Sequence, residues 1–158
     1  MQHKDIMMSR FTNEQLHQRK FERAAWVMRH IWEELQDDPK REAKMHSRLF
    51  DVLVGTPRNI GTSIKGGGHK EHLVPCALLR DRAFHMFWEA LDAKKDMTEV
   101  EKEVAQMLER FLVIAHISRD EAHKLDHKLG LKTRMPDDWT WETGLIDARL
   151  THAGITLK

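Results

Sequence analysis

Residues 66–75, GGGHKEHLVP, bring His69, Glu71 and His72 within four positions of one another behind three glycines. Imidazole titrates near pH 6.5 and a neighbouring carboxylate can orient it, so this grouping suits proton transfer at neutral pH. The same side chains can also ligate a metal ion. A second grouping, Asp120, Glu121, His123, Asp126 and His127, lies further along the chain. Helical residues three and four apart share a face, so Asp120, His123 and His127 would point one way at metal-ligand spacing. Such spacing also occurs on ordinary solvated helices, and with eleven histidines in the chain a pair four apart is expected by chance. The helix grouping by itself leaves both readings open.

These residues need elements to hold them, and the apolar periodicity supplies them. Thr12 and Gln15 form a capping box before Leu16, Phe21, Ala24, Met28, Ile31, Trp32 and Leu35, which predicts a helix over 13–36. Asp38-Pro39 opens a second helix with Met45, Leu49, Val52 and Leu53 inward, ending near Gly55. Residues 55–68 read as a loop around Ile60 and Ile64. His72-Leu73-Val74 reads as a short strand, and Pro75 starts a helix whose apolar face includes Leu78, Phe84, Phe87 and Leu91. Thr98 and Glu101 suggest a capping box for a helix carrying Val100, Val104, Met107 and Leu108. Residues 111–117, FLVIAHI, are β-branched and predict a buried strand. Ser118 with Glu121 caps the helix bearing His123, which Gly130 closes, and a short helix ends at Gly154.

The expected fold is therefore mainly α with a small two-stranded β element (α+β), in one domain spanning 1–158. Its parts are an N-terminal helical region over 11–55, a site region over 66–129 interrupted by helices over 75–110, and a tail over 131–158. A hydrophobic content of 41% with five tryptophans argues against disorder, while 32% charged residues argue against a membrane protein. No apolar run or leader-like segment stands out, so a cytoplasmic address is expected. The single cysteine, Cys76, excludes an internal disulfide and a four-cysteine zinc site. Lys plus Arg (26) nearly balance Asp plus Glu (25), so total charge does not argue for nucleic acid. Locally, from Arg41 to Arg82, eight basic residues (Arg41, Lys44, Arg48, Arg58, Lys65, Lys70, Arg80 and Arg82) outweigh four acidic ones (Glu42, Asp51, Glu71 and Asp81), as either a phosphate-binding face or a solvated surface.

Glu71-His72-Leu73-Val74-Pro75 on a short strand, a second strand, and a capped helix with His123 follow one another in the order of a ββα-metal site. Over residues 66–129 the chain resembles the HNH endonuclease family. The resemblance implies His72 as general base, Glu71 as a metal ligand or orienting group, and His123 as a metal ligand with Asp120 and His127 beside it. His116 stands nearest to the family's middle asparagine and would orient the base, or be a strand residue hydrogen-bonded in the core. Mg²⁺ or Mn²⁺ is the implied cofactor, with Zn²⁺ as the other candidate, and the partner is DNA held through Lys65, His69, Lys70, Arg80 and Arg82. The three glycines would let the backbone pass close to the strand.

The chain departs from the pattern in its helical connection between the strands and in lacking paired cysteines. The implied activity is metal-dependent hydrolysis of DNA phosphodiester bonds, with an origin in a phage or mobile element. The alternative is a non-catalytic, mostly helical module binding nucleic acid or protein, such as a phage-encoded regulator or inhibitor. A helical metal-binding protein using Asp120, His123 and His127, and a self-associating chain, also remain open. Trp26, Trp32 and Trp88 read as core residues, whereas Trp139 or Trp141 could stack on a base or meet a protein partner.

Overall fold

The computed structural model describes residues 9–38, 40, 46 and 48–158. It is mainly helical with a small mixed sheet. Helix α1 spans Asn13–Asp37 and begins at the expected box, in which Thr12 Oγ1 accepts from Gln15 N–H and the Gln15 side chain accepts from Thr12 N–H. Phe21, Ala24, Ala25, Met28 and Trp32 form its buried stripe. Helix α2 spans Leu49–Val54. The expected earlier start, with Pro39 and Met45, lies outside the described residues; Asp38 itself is the C-cap of α1.

Helices α3 (Cys76–Asp92) and α4 (Met97–Phe111) lie between the strands in sequence. Pro75 is the N-cap of α3, where its lack of an N–H costs nothing. The buried face of α3 is Leu79, Ala83, Phe87 and Ala90, rotated from the expected stripe so that Leu91 is exposed. α4 is capped by Asp96, whose carboxylate accepts from Thr98 N–H. Glu101 is thus released from the expected box and pairs with Arg29 of α1 at 3.1 Å. One hydrophobic cluster joins α1, α3 and α4, with Trp32 set 5.4 Å from Phe87 and 5.3 Å from Trp88. Trp32 is buried as expected, but Trp26 and Trp88 remain 54% and 43% exposed.

The sheet has three strands, not two. β1 (Arg58–Thr62), β2 (His69–His72) and β3 (Val113–Ile117) lie in the order β1-β3-β2. β1 runs parallel to β3, and β2 antiparallel to it. β1 falls in the segment read as a loop because RNIGT has neither an apolar run nor alternation, and its residues are mostly exposed. Pairing with the buried β3, and not burial of its own side chains, makes it a strand. β2 begins three residues before the expected strand, so Leu73 and Val74 lead out of the sheet toward α3.

After β3, α5 (Arg119–His123) starts at the expected Ser118–Glu121 box and continues as a π-helical turn over Lys124–Lys128. A second cluster packs Leu73, Val113, Ala115 and Ile117 against Ala122, Leu125 and Leu150, the last from α6 (Ala148–His152). Among the described residues no helix is long and apolar enough to cross a membrane.

The glycine run is used internally. A Cβ on Gly67 would come within 2.8 Å of Thr62 Cγ2 and 3.2 Å of His116 Cβ, whereas one on Gly68 would meet nothing nearer than 3.9 Å. Gly67→Ala should therefore cost about 1–3 kcal/mol in urea unfolding while Gly68→Ala stays near wild type.

Candidate functional site

β2 presents its side chains alternately to two sides. Lys70 and His72 stand opposite His116 and Ile114 of β3, on one face; His69 and Glu71 stand opposite Ile117 and Ala115, on the other. β2 is also an edge strand, and a cleft of about 280 Å³ wraps over it. His69, Lys70, Glu71 and His72 line this cleft together with Arg48 and Asp51 of α2, Cys76 at the start of α3, and Asp126, Lys132 and Thr133.

The anchor beneath the cleft is Arg149 of α6, only 1% exposed. Its Nε donates to the Leu131 carbonyl at 2.9 Å, and its Nη1 donates to Glu71 Oε1 at 3.0 Å and to the His72 carbonyl at 2.8 Å. The other oxygen of Glu71, Oε2, lies 3.0 Å from His69 Nε2. Glu71 is 8% exposed, so both of its oxygens are committed within the protein. An ion pair buried this deeply is tolerated only because several acceptors surround the guanidinium.

His72 is in the opposite situation. Its Nε2 is shut off from solvent and has no hydrogen-bond partner. Burial, reinforced by Lys70 and Arg149, outweighs the pull of Asp51 and Glu71 and holds the imidazole below its usual pKa. It is therefore neutral at pH 7, with an unused ring nitrogen. Cys76 shares the cleft, but burial first, then Asp51, pushes its thiol up to about 12. It is an unreactive thiol at neutral pH. Glu121 moves the other way from its neighbours' expectation of burial: desolvation raises its pKa, but hydrogen bonds from Ser63 and Ser118, with the charge of Lys65, hold it lower. It serves as the lock between the glycine loop and α5.

The remaining expected residues are not gathered here. His116 lies on the same face as His72 but diagonally across the strand pair, a separation of roughly 7–8 Å in ordinary sheets, and no hydrogen bond joins the two. Asp120, His123 and His127 are exposed on α5 and its π-helical extension and do not line the cleft; the two imidazoles are neighbours, with ring centroids 4.6 Å apart. Among the described residues no group of three or more His, Cys, Asp or Glu side chains converges as metal ligands would. With both Glu71 oxygens engaged, the residues do not fit the divalent ion that the resemblance implies. Lys65 lies by Glu121, and Arg80 pairs with Asp81 at 2.9 Å. Arg82 lines a separate groove with Arg110 and Trp141. Trp141 and Trp139 pack edge-on against Phe111 at 5.2 and 5.8 Å, so neither is an open stacking platform.

Arg48, Asp51, Asp126, Lys132 and Arg149 complete the site; in the sequence Arg48 and Asp51 counted only as local charge and Asp126 as part of the helix grouping, and neither Lys132 nor Arg149 was singled out. Asp51 carries a faint signal, as the one acid between Phe50 and Val52 in an apolar helix; Arg149 carries none. No known family, curated protein or solved structure matches the chain.

Removing Arg149 strands a buried carboxylate. Arg149→Met should cost about 3–5 kcal/mol in chemical denaturation, with most of it recovered in the Arg149→Met, Glu71→Leu double variant. For His72 the depressed pKa means that the unfolded chain binds more proton than the folded one below about pH 6.5. Its contribution to stability is complete above that pH, falls as the pH drops toward the folded value, and then levels off. His72→Leu should flatten the decline of Tm between about pH 7 and 5 and, by removing an unpartnered nitrogen, should not lower Tm at pH 7.

Proposed function

We propose that this protein is an endonuclease cleaving DNA phosphodiester bonds, with His72 as the proton acceptor for the attacking water. The observation that carries this reading is the unpartnered Nε2 of a neutral imidazole bordering an open cleft. A buried nitrogen left without a partner costs stability, and such groups occur where a ligand or a reaction uses them. Arg48, Lys70 and Lys132 line the same cleft and would seat a phosphate, with Asp51 beside the imidazole to favour the imidazolium that forms. The antiparallel β2–β3 pair, followed directly by capped α5, agrees with the chain order behind the HNH resemblance. No step of this reading passes through a metal ion.

A second reading, a non-catalytic nucleic-acid-binding module, is favoured by one observation. Glu71, the carboxylate of the Glu-His pair, is neutralised by Arg149 and turned to the face opposite His72.

Plasmid nicking by purified protein in Mg²⁺, Mn²⁺ or EDTA separates the two. Nicking that falls 10²-fold or more in His72→Ala, with DNA affinity unchanged, is the expected result. Well-folded protein that binds DNA with a salt dependence set by Lys70 and Lys132 but cuts nothing supports the binding module instead.

A further inference from the structure

The two edges of the sheet are finished differently. Beside β1 the chain runs its own residues 156–158: Lys158 N–H donates to the Thr62 carbonyl at 2.9 Å, Ile64 N–H donates to the Thr156 carbonyl at 3.0 Å, and Ser63 forms an antiparallel bridge with Leu157. Beside β2, among the described residues, no further strand follows.

The register decides which groups β2 turns outward. Leu73 N–H donates to the Val113 carbonyl at 3.0 Å, and the pairs continue as His72–Ile114, Glu71–Ala115, Lys70–His116 and His69–Ile117. Hydrogen-bonded and non-hydrogen-bonded positions alternate along an antiparallel pair. His69, Glu71 and Leu73 therefore bond to β3, while Lys70 and His72 turn their N–H and C=O groups away from it. Arg149 Nη1 takes the His72 carbonyl at 2.8 Å. Lys70 N–H, Lys70 C=O and His72 N–H remain along the edge, and among the described residues no hydrogen bond meets them. Both residues line the cleft.

Donor, acceptor and donor at strand spacing are one side of a β-ladder. A phosphate chain offers acceptors alone and would set an oxygen against the Lys70 carbonyl, whereas a peptide backbone carries both kinds of group in the matching order. A second copy does not fit either, because β2 paired with itself about Lys70 puts two lysines opposite each other. Charge narrows the choice further. Arg48, Lys70 and Lys132 line the cleft against Asp51 and Asp126, while Glu71 is already paired with Arg149. A residue set opposite Lys70 shares its face of the sheet, and a carboxylate there would meet the ammonium.

We propose that the outer edge of β2 binds an extended peptide of another protein by strand addition, with main-chain hydrogen bonds at Lys70 and His72 and an acidic residue opposite Lys70. The main chain supplies the affinity and the carboxylate the preference. Neither cleft imidazole takes part, and the site does not depend on DNA cleavage. A peptide there and a phosphate seated by Arg48, Lys70 and Lys132 would exclude one another.

The test titrates ¹⁵N-labelled protein with short peptides of alternating threonine and valine that carry glutamate or lysine at the centre. A third peptide keeps the glutamate but is N-methylated there and at every second residue from it. The glutamate peptide should shift the Lys70 and His72 amide signals and slow their hydrogen exchange, which in the unbound protein is faster than that of Glu71 and Leu73. Binding should weaken about tenfold or more with the lysine peptide and disappear on N-methylation. Lys70→Glu should reverse the ranking of the glutamate and lysine peptides, which also shows that the variant is folded. The proposal is overturned if no peptide moves these two amides at millimolar concentration, or if the N-methylated peptide binds as well as its parent. It is likewise overturned if raising the protein concentration alone shifts them, as a second copy would, or if a thymidine oligonucleotide shifts them and the peptides do not.

Discussion

A guanidinium with 1% exposure must find its hydrogen-bond acceptors inside the protein, and Nε and Nη1 of Arg149 find them in three stretches of chain, while Nη2 is left without a partner. Arg149 takes the Leu131 carbonyl, the Glu71 carboxylate and the His72 carbonyl, and so ties the C-terminal α6 and the turn after the π-helical segment to the outer edge of β2. An edge strand of four residues has one neighbour in the sheet and little surface of its own to bury. Arg149 supplies the fixing that a second neighbouring strand would otherwise give. Both cleft histidines hang from this strand, so the geometry of the site depends on that one buried cation.

The rest of the fold is arranged so that β3 lies at the centre. Its residues are buried on both faces, one against the cluster with α5 and α6, and the pairing of β1 and β2 on either side completes its backbone hydrogen bonds. The long α1, α3 and α4 form a separate cluster and deliver α3 to the cleft through Pro75 and Cys76. The glycine loop passes Gly67 against Thr62 and His116, which joins β1 to β2 across the end of β3 and keeps the loop within the protein's own packing.

Two imidazoles three residues apart on one strand end up in opposite electrostatic settings. His69 has a carboxylate partner and an exposed ring; His72 is desolvated, flanked by cations, and has one nitrogen without a partner. The period of the strand causes this difference, since odd and even positions face different neighbours.

Local signals in the chain were enough for the main helices, for the capping boxes at Thr12 and Ser118, and for β3, because each depends on side chains within a turn or two of one another. The concentration of histidines around Glu71 was legible for the same reason. β1 was not legible, since RNIGT becomes a strand only through its partner, and neither was the cap of α4, where Arg29 from another helix takes Glu101. The use of Glu71 was decided by tertiary structure alone. In sequence it is one half of a Glu-His pair that could ligate a metal; in the fold Arg149 reaches it from 78 residues away and turns it into the support of His69. Residue type and spacing determined which groups could do chemistry. Long-range burial and charge pairing determined which of them are free to do it.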